Sequence, residues 1–198
     1  MKIKLTGQWK KAQKILDKGA QRVELSKRKI MASEAKFYAQ KIKEGLESQA
    51  PGKKPIKPPA ESTLISREFK GFNSTKSLIV RRDLVNSITD IVKGDKAFAG
   101  IPKSARGTDG QNLAKIGEIN EKGKNGIVIE ITPKMRKLFG AMFAGSDNES
   151  PGKKKVIIVN IPARPFITPV LETYGKASVA IPRIAKKFSF FTAFMFGK

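Results

Sequence analysis

Val156-Ile157-Ile158-Val159-Asn160-Ile161 runs directly into Pro162-Ala163-Arg164-Pro165-Phe166, and this junction sets the architecture. The first six residues read as a strand of the buried type, rich in β-branched aliphatics. Pro162 then ends the ladder, because proline has no N–H to donate. Pro162 and Pro165 together restrict the backbone on both sides of Arg164. Phe166 anchors the far end as a core residue or as part of an interface. A corner this constrained points its arginine in a definite direction.

Upstream, Gly126 to Thr132 (GIVIEIT) reads as a second strand. Pro133 then opens a helix, KMRKLFGAMFAG, with Leu138, Met142 and Phe143 on its apolar side. Residues 146–155 read as a polar loop ending in lysines. Further back, Ile88 to Val92 and Ala97 to Ile101 flank Lys93-Gly94-Asp95-Lys96, a hairpin signal. Leu113 to Glu121 reads as a short helix stopped by Gly123. Glu61 to Phe72 reads as another, and Asp83 is placed to cap a short piece, LVNSI. Residues 8–49 carry apolar positions at three- and four-residue spacing, the pattern of one long helix, with Gly19 a candidate bend and Pro51-Gly52 the end. Downstream, a helix from about Thr168 passes through Val170, Leu171 and Tyr174, and Pro182 is expected to interrupt the helical pattern beyond it.

The expected fold is α+β: a long N-terminal helix and a small antiparallel sheet of about four strands with helices packed on one face. Three regions are expected: a helical arm at 1–49, a core at 50–175, and a C-terminal helix with a Phe-rich tail at 176–198.

Composition narrows the chemistry. The chain has no Cys and no His. Thiol nucleophiles, Ser-His-Asp sites and Cys-ligated zinc are therefore excluded. Carboxylates are scarce, and the pairs Glu44/Glu47 and Glu118/Glu121 read as solvated helix faces. No enzyme activity, metal or cofactor is expected. No stretch is apolar enough to span a bilayer, and the N-terminus lacks the apolar core of a secretory signal.

The 40 Lys and Arg against 17 Asp and Glu leave a net charge of +23, a field that attracts polyanions. Lysine greatly outnumbers arginine, which equally fits a solvated lysine-rich surface. Lys53, Lys54 and Lys57, held extended in the proline-rich loop 50–60, and Lys153, Lys154 and Lys155 are the candidates for contacting DNA. One Trp and two Tyr offer few platforms for stacking bases.

The tail carries Phe188, Phe190, Phe191, Phe194 and Phe196. Phe190, Phe191 and Phe194 are candidate interface residues, since one small core cannot hold all five. Packing beneath the long helix is the alternative, and Lys186-Lys187 beside the aromatics also suit a membrane-surface end.

Four segments, in order, resemble the phage virion-morphogenesis family, which includes Mu-type G proteins and relates to tail-completion and head–tail neck proteins. The first is STLISREFKGF with KSLIVRRDLVNSI, where Leu78, Leu84, Ser87 and Ile88 fit the pattern and Arg81-Arg82 stand where the family has Thr-Gly. The second is LAKIGEINEKG, with Ala114 and Ile116 as counterparts and Gly117, Ile119 and Asn120 where His, Phe and Gly would stand. The third is TPKMRKLFGAM, Thr132 to Met142, and the fourth is IPARPFITPVLE, Ile161 to Glu172.

The resemblance spans roughly residues 50–175. It implies a structural virion protein, assembled in the host cytoplasm, that forms a ring of six or twelve copies with other neck, portal or tail subunits. It brings no catalytic residues. A closing ring needs heterologous interfaces. Pro162, Arg164, Pro165 and Phe166 are the candidates for one, with Arg164 meeting a carboxylate of a neighbour or its own Glu118, Glu121 or Glu172. A nonspecific nucleic-acid-binding protein is the alternative function.

Overall fold

The computed structural model describes residues 7–142 and 155–196. Helix α1 spans Trp9–Glu47 without a break, about 58 Å at 1.5 Å per residue. Gly19 does not bend it. That glycine faces open space, so it lowers helix propensity without disturbing any packing. The C-terminus closes by a Schellman arrangement: Ala50 N–H bonds Gly45 O and Gln49 N–H bonds Leu46 O. Gln49 holds the left-handed position at φ 58. Its amide also clasps the Ser77 backbone, donating to Ser77 O at 3.1 Å and accepting from Ser77 N at 2.6 Å.

Ala35, Ala39, Ile42 and Leu46 form the buried stripe of α1, at the spacing of one helix face. Ala39, Ile42 and Leu46 meet Ile79, the short helix α3 (Asp83–Asn86), Ile88, Phe166 and Val170 in one core. Asp83 does not cap α3. It opens the helix after Arg82, and its carboxylate accepts instead from Thr108 N and Oγ1. Arg82, standing at the resemblance pattern's glycine, has φ 66 and ψ 3, a backbone region that favours glycine. Helix α2 (Glu61–Phe69) is shorter than its pattern and buries no residue.

Strands β1 (Thr89–Lys93) and β2 (Lys96–Gly100) pair antiparallel about Gly94-Asp95, with φ 57 at Gly94, as tight two-residue turns require. The hairpin lies along α1, and its tip is tied there by Lys27 Nζ to Asp95 Oδ1 at 3.1 Å. Strands β3 (Lys124–Glu130) and β4 (Val156–Ile161) form a second antiparallel ribbon, with α5 (Pro133–Met142) between them in sequence. The protein is thus mixed helix and sheet, but the expected four-stranded sheet is two separate two-stranded ones. Helix α4 (Leu113–Lys122) separates them: its Gly117 lies close against Ile101, just past β2, and Phe166, past β4.

β4 is not a buried strand either. Its residues alternate between exposed and half-buried, as do those of β3. The cross-strand pair Val128 and Ile158 is 62% and 70% exposed.

Helix α6 (Thr168–Tyr174) leads into α7 (Ala177–Phe196). Pro182 does not interrupt α7 but sits inside it, near its first turns. Pro182 and Ser178 are both exposed, so water can satisfy the carbonyl that proline leaves without a donor. α7 runs antiparallel to α1, with Arg183 against Glu34 and, further on, Phe191 against Lys29. No helix among the described residues is long and apolar enough to cross a membrane.

Candidate functional site: the proline–arginine corner

The corner after β4 is held from three directions. Gly123 ends α4 at φ 75, and a Cβ there would stand 2.8 Å from Ala163 N, so only glycine admits this approach. The Arg164 N–H donates to Asn120 O at 2.6 Å. Glu121 supplies the third hold. Its Oε2 accepts from Phe166 N at 2.9 Å and Ile167 N at 3.2 Å, and its Oε1 accepts from Thr168 N at 2.7 Å. One carboxylate thereby satisfies three amides at the start of α6 that have no other acceptor among the described residues.

Arg164 meets none of the three carboxylates expected for it. Glu118 pairs with Lys122, Glu172 pairs with Lys54, and Glu121 is spent on the amides. The guanidinium reaches the proline-rich loop instead, donating Nε to Lys57 O at 3.1 Å and Nη2 to Pro58 O at 3.2 Å. Its charge therefore has no carboxylate partner among the described residues.

Arg67 of α2 lies beside it. Burial, together with the charge of Arg164, pulls the Arg67 pKa below its ordinary value. Arg67 Nη1 donates to Ser74 O and Lys76 O, both at 2.8 Å. The two arginines line one end of a cavity of about 270 Å³ walled mainly by Leu78, Val80, Leu84 and Ile116.

Pro162 and Pro165 are exposed at the corner, whereas Phe166 is 0% exposed within the core. The interface assignment of Phe166 is corrected accordingly: its ring is the anchor that positions the arginine, and it offers no surface to a partner. The tail divides. Phe191 is half-buried with Lys29 Nζ over its ring, while Phe190 is 66% exposed and touches Phe191 edge-on. The Phe194 side chain lies outside the described residues. Ile184 and Phe188 of α7 face Ile30 and Met31 of α1 and Ala97 of β2 across an apolar groove.

The candidate DNA-contacting lysines differ in their surroundings. Lys53 and Lys57 are exposed with no ion pair among the described residues, but Lys54 is engaged with Glu172 at 2.6 Å. Lys155 immediately precedes β4, one strand length from the corner, about 20 Å. Lys153 and Lys154 lie outside the described residues. Among the described residues no group of acids could hold a metal ion.

Two participants escaped the sequence pattern. Glu121 is 45 residues from its amides, with no local signal for that contact. Arg67 is one of nine arginines, and nothing in its local pattern sets it apart. No protein-family model, curated protein or solved structure matches this chain.

Proposed function

We propose that this chain is a structural subunit of a phage head–tail neck or tail-completion assembly, closing into a ring that joins head and tail in the virion. Support comes from the four ordered segments, the last of which folds as a rigid, carboxylate-braced corner. The single observation that carries an assembling role is the β3–β4 ribbon. It presents Val128 and Ile158 to solvent on a two-stranded sheet. Two strands alone are marginal in water, and exposed apolar strands with free edges invite pairing with another chain.

Light scattering on the purified protein, alone and with portal-side or tail-side components, tests this. The expected result is a defined oligomer, lost in Ile158→Lys while the circular dichroism spectrum stays unchanged. A wild-type protein that stays monomeric with every component, and is absent from mature particles by mass spectrometry, overturns it.

A second reading, nonspecific nucleic-acid binding, is favoured by one feature. Lys10, Lys14 and Lys18 repeat at four-residue spacing on exposed α1 and have no ion-pair partner among the described residues. In the assembled ring this stripe and the basic loops would face passing DNA. A gel shift at two salt concentrations separates a DNA-binding protein from a purely protein-contacting one.

A further inference from the structure

We infer that the cavity between α2 and α4, lined by Arg67 and Arg164, is a receptor for a carboxylate carried by another polypeptide. The cavity holds two half-buried guanidiniums, and no acidic side chain lines it. Like charges in such proximity repel, and removing them from water makes the repulsion stronger. The carbonyls of Ser74, Lys76, Lys57 and Pro58 orient the two side chains, but carbonyls carry no countercharge.

Arg106, an exposed loop residue, also bonds only carbonyls, but three arginines elsewhere are treated differently. Arg81 meets Asp109, Arg82 meets Glu47 and Arg183 meets Glu34. The contrast holds within one cleft: Arg81 and Asp109 line a cavity that shares Arg67, Leu78 and Ile116 with this one. The Arg81 end holds Asp83 and Asp109, whereas no carboxylate lines the Arg164 end.

The unbalanced end also has donors to spare. The carbonyl bonds use Nη1 of Arg67 and Nε and Nη2 of Arg164, leaving Nη2 of Arg67 and Nη1 of Arg164 unpartnered among the described residues. The Thr63 hydroxyl at the rim is likewise unpartnered there. Planar guanidiniums already fixed in place bind a carboxylate with little further loss of side-chain entropy. The walls are aliphatic, and the space is about 270 Å³. That suits the stem of an aspartate, a glutamate or a chain end better than a fully hydrated phosphate.

The site belongs to one chain, so its test does not depend on ring formation. Protein labelled with ¹⁵N arginine is titrated with glutarate, and separately with inorganic phosphate and sodium chloride at matched ionic strength. Glutarate is expected to shift the Arg67 and Arg164 side-chain signals saturably and to leave Arg183 in place. Arg67→Lys keeps the charge and loses the fork, and is expected to weaken glutarate roughly tenfold. Signals that also move with protein concentration, and are reversed by glutarate, assign the donor to a second copy. Absence of a saturable glutarate shift in the wild type, or phosphate binding at least as tightly, overturns the proposal. Binding undiminished in Arg67→Lys overturns it as well.

Discussion

Arg183 of α7 grips Glu34 of α1 with two nitrogens, Nη2 at 2.7 Å from Oε2 and Nε at 3.1 Å from each carboxylate oxygen. Lys187 Nζ adds a bond to Oε1 at 2.8 Å. The Arg183 guanidinium also lies over the Phe37 ring, 4.2 Å from its centroid. The two side chains are only 17% and 13% exposed. This cluster fixes the face that α7 turns to α1, and with it which phenylalanines of the tail point outward.

Glu34→Ala leaves two cations facing each other without their anion. Breaking a largely buried pair from one side is costly because the surviving charge stays desolvated. We expect a loss of about 2–3 kcal/mol in urea unfolding. Lys27→Ala, which removes an exposed pair to Asp95, is expected to leave the urea midpoint essentially unchanged. Equal losses in the two variants would show that the α1–α7 cluster is no stronger than a surface contact.

The same cluster sets a pH dependence. Burial disfavours the ionised Glu34, but the hydrogen bonds from Arg183 and Lys187 outweigh it and hold its carboxyl below the usual range. A depressed carboxylate contributes stability that is fully present above its unfolded pKa and is lost as pH falls through its folded one. The stability gap between wild type and Glu34→Gln is therefore expected to be constant above about pH 5.5 and to narrow below about pH 4. Urea midpoints at a series of pH values measure it, and a gap that widens on acidification contradicts the assignment.

Glu121 is the keystone of the corner. Glutamine at this position keeps one accepting oxygen but turns an amino group toward backbone N–H donors. Glu121→Gln is expected to lose about 2 kcal/mol and to speed hydrogen exchange at Phe166, Ile167 and Thr168 ahead of the α1 amides. Unchanged exchange at those three amides would assign the hold on the corner to Phe166 burial alone.

Much of this architecture is legible in the sequence because its causes are local. The apolar spacing of α1, the Gly94-Asp95 turn and Pro133 at the start of α5 each act within a few residues. The failures have long-range causes. VIIVNI carries the composition of a buried strand, yet nothing among the described elements covers both faces of its ribbon. Pro182 reads as a break, yet α7 continues because its exposed side tolerates the lost bond. The site divides in the same way: Pro162 and Pro165 announce a rigid corner, but the partners of Arg164 come from a loop more than 100 residues earlier. Which carbonyl or carboxylate an arginine finds at that separation depends on packing, which no spacing rule encodes.

The lysines of α1 give the last expectation. Lys10, Lys14 and Lys18 lie one helical turn apart, so each repels the next by a few tenths of a kcal/mol. A polyanion along this face relieves the repulsion and releases its own condensed counterions. Replacing all three with glutamine is expected to raise the helicity of α1 slightly and to weaken duplex DNA binding. The slope of log affinity against log salt should flatten by about 0.9 for each phosphate that the variant no longer neutralises. Fluorescence anisotropy with a short duplex across a salt series measures both quantities. A slope unchanged by the triple substitution assigns DNA attraction to the loops bearing Lys53, Lys57 and Lys155, because those cations are exposed and have no ion pair among the described residues.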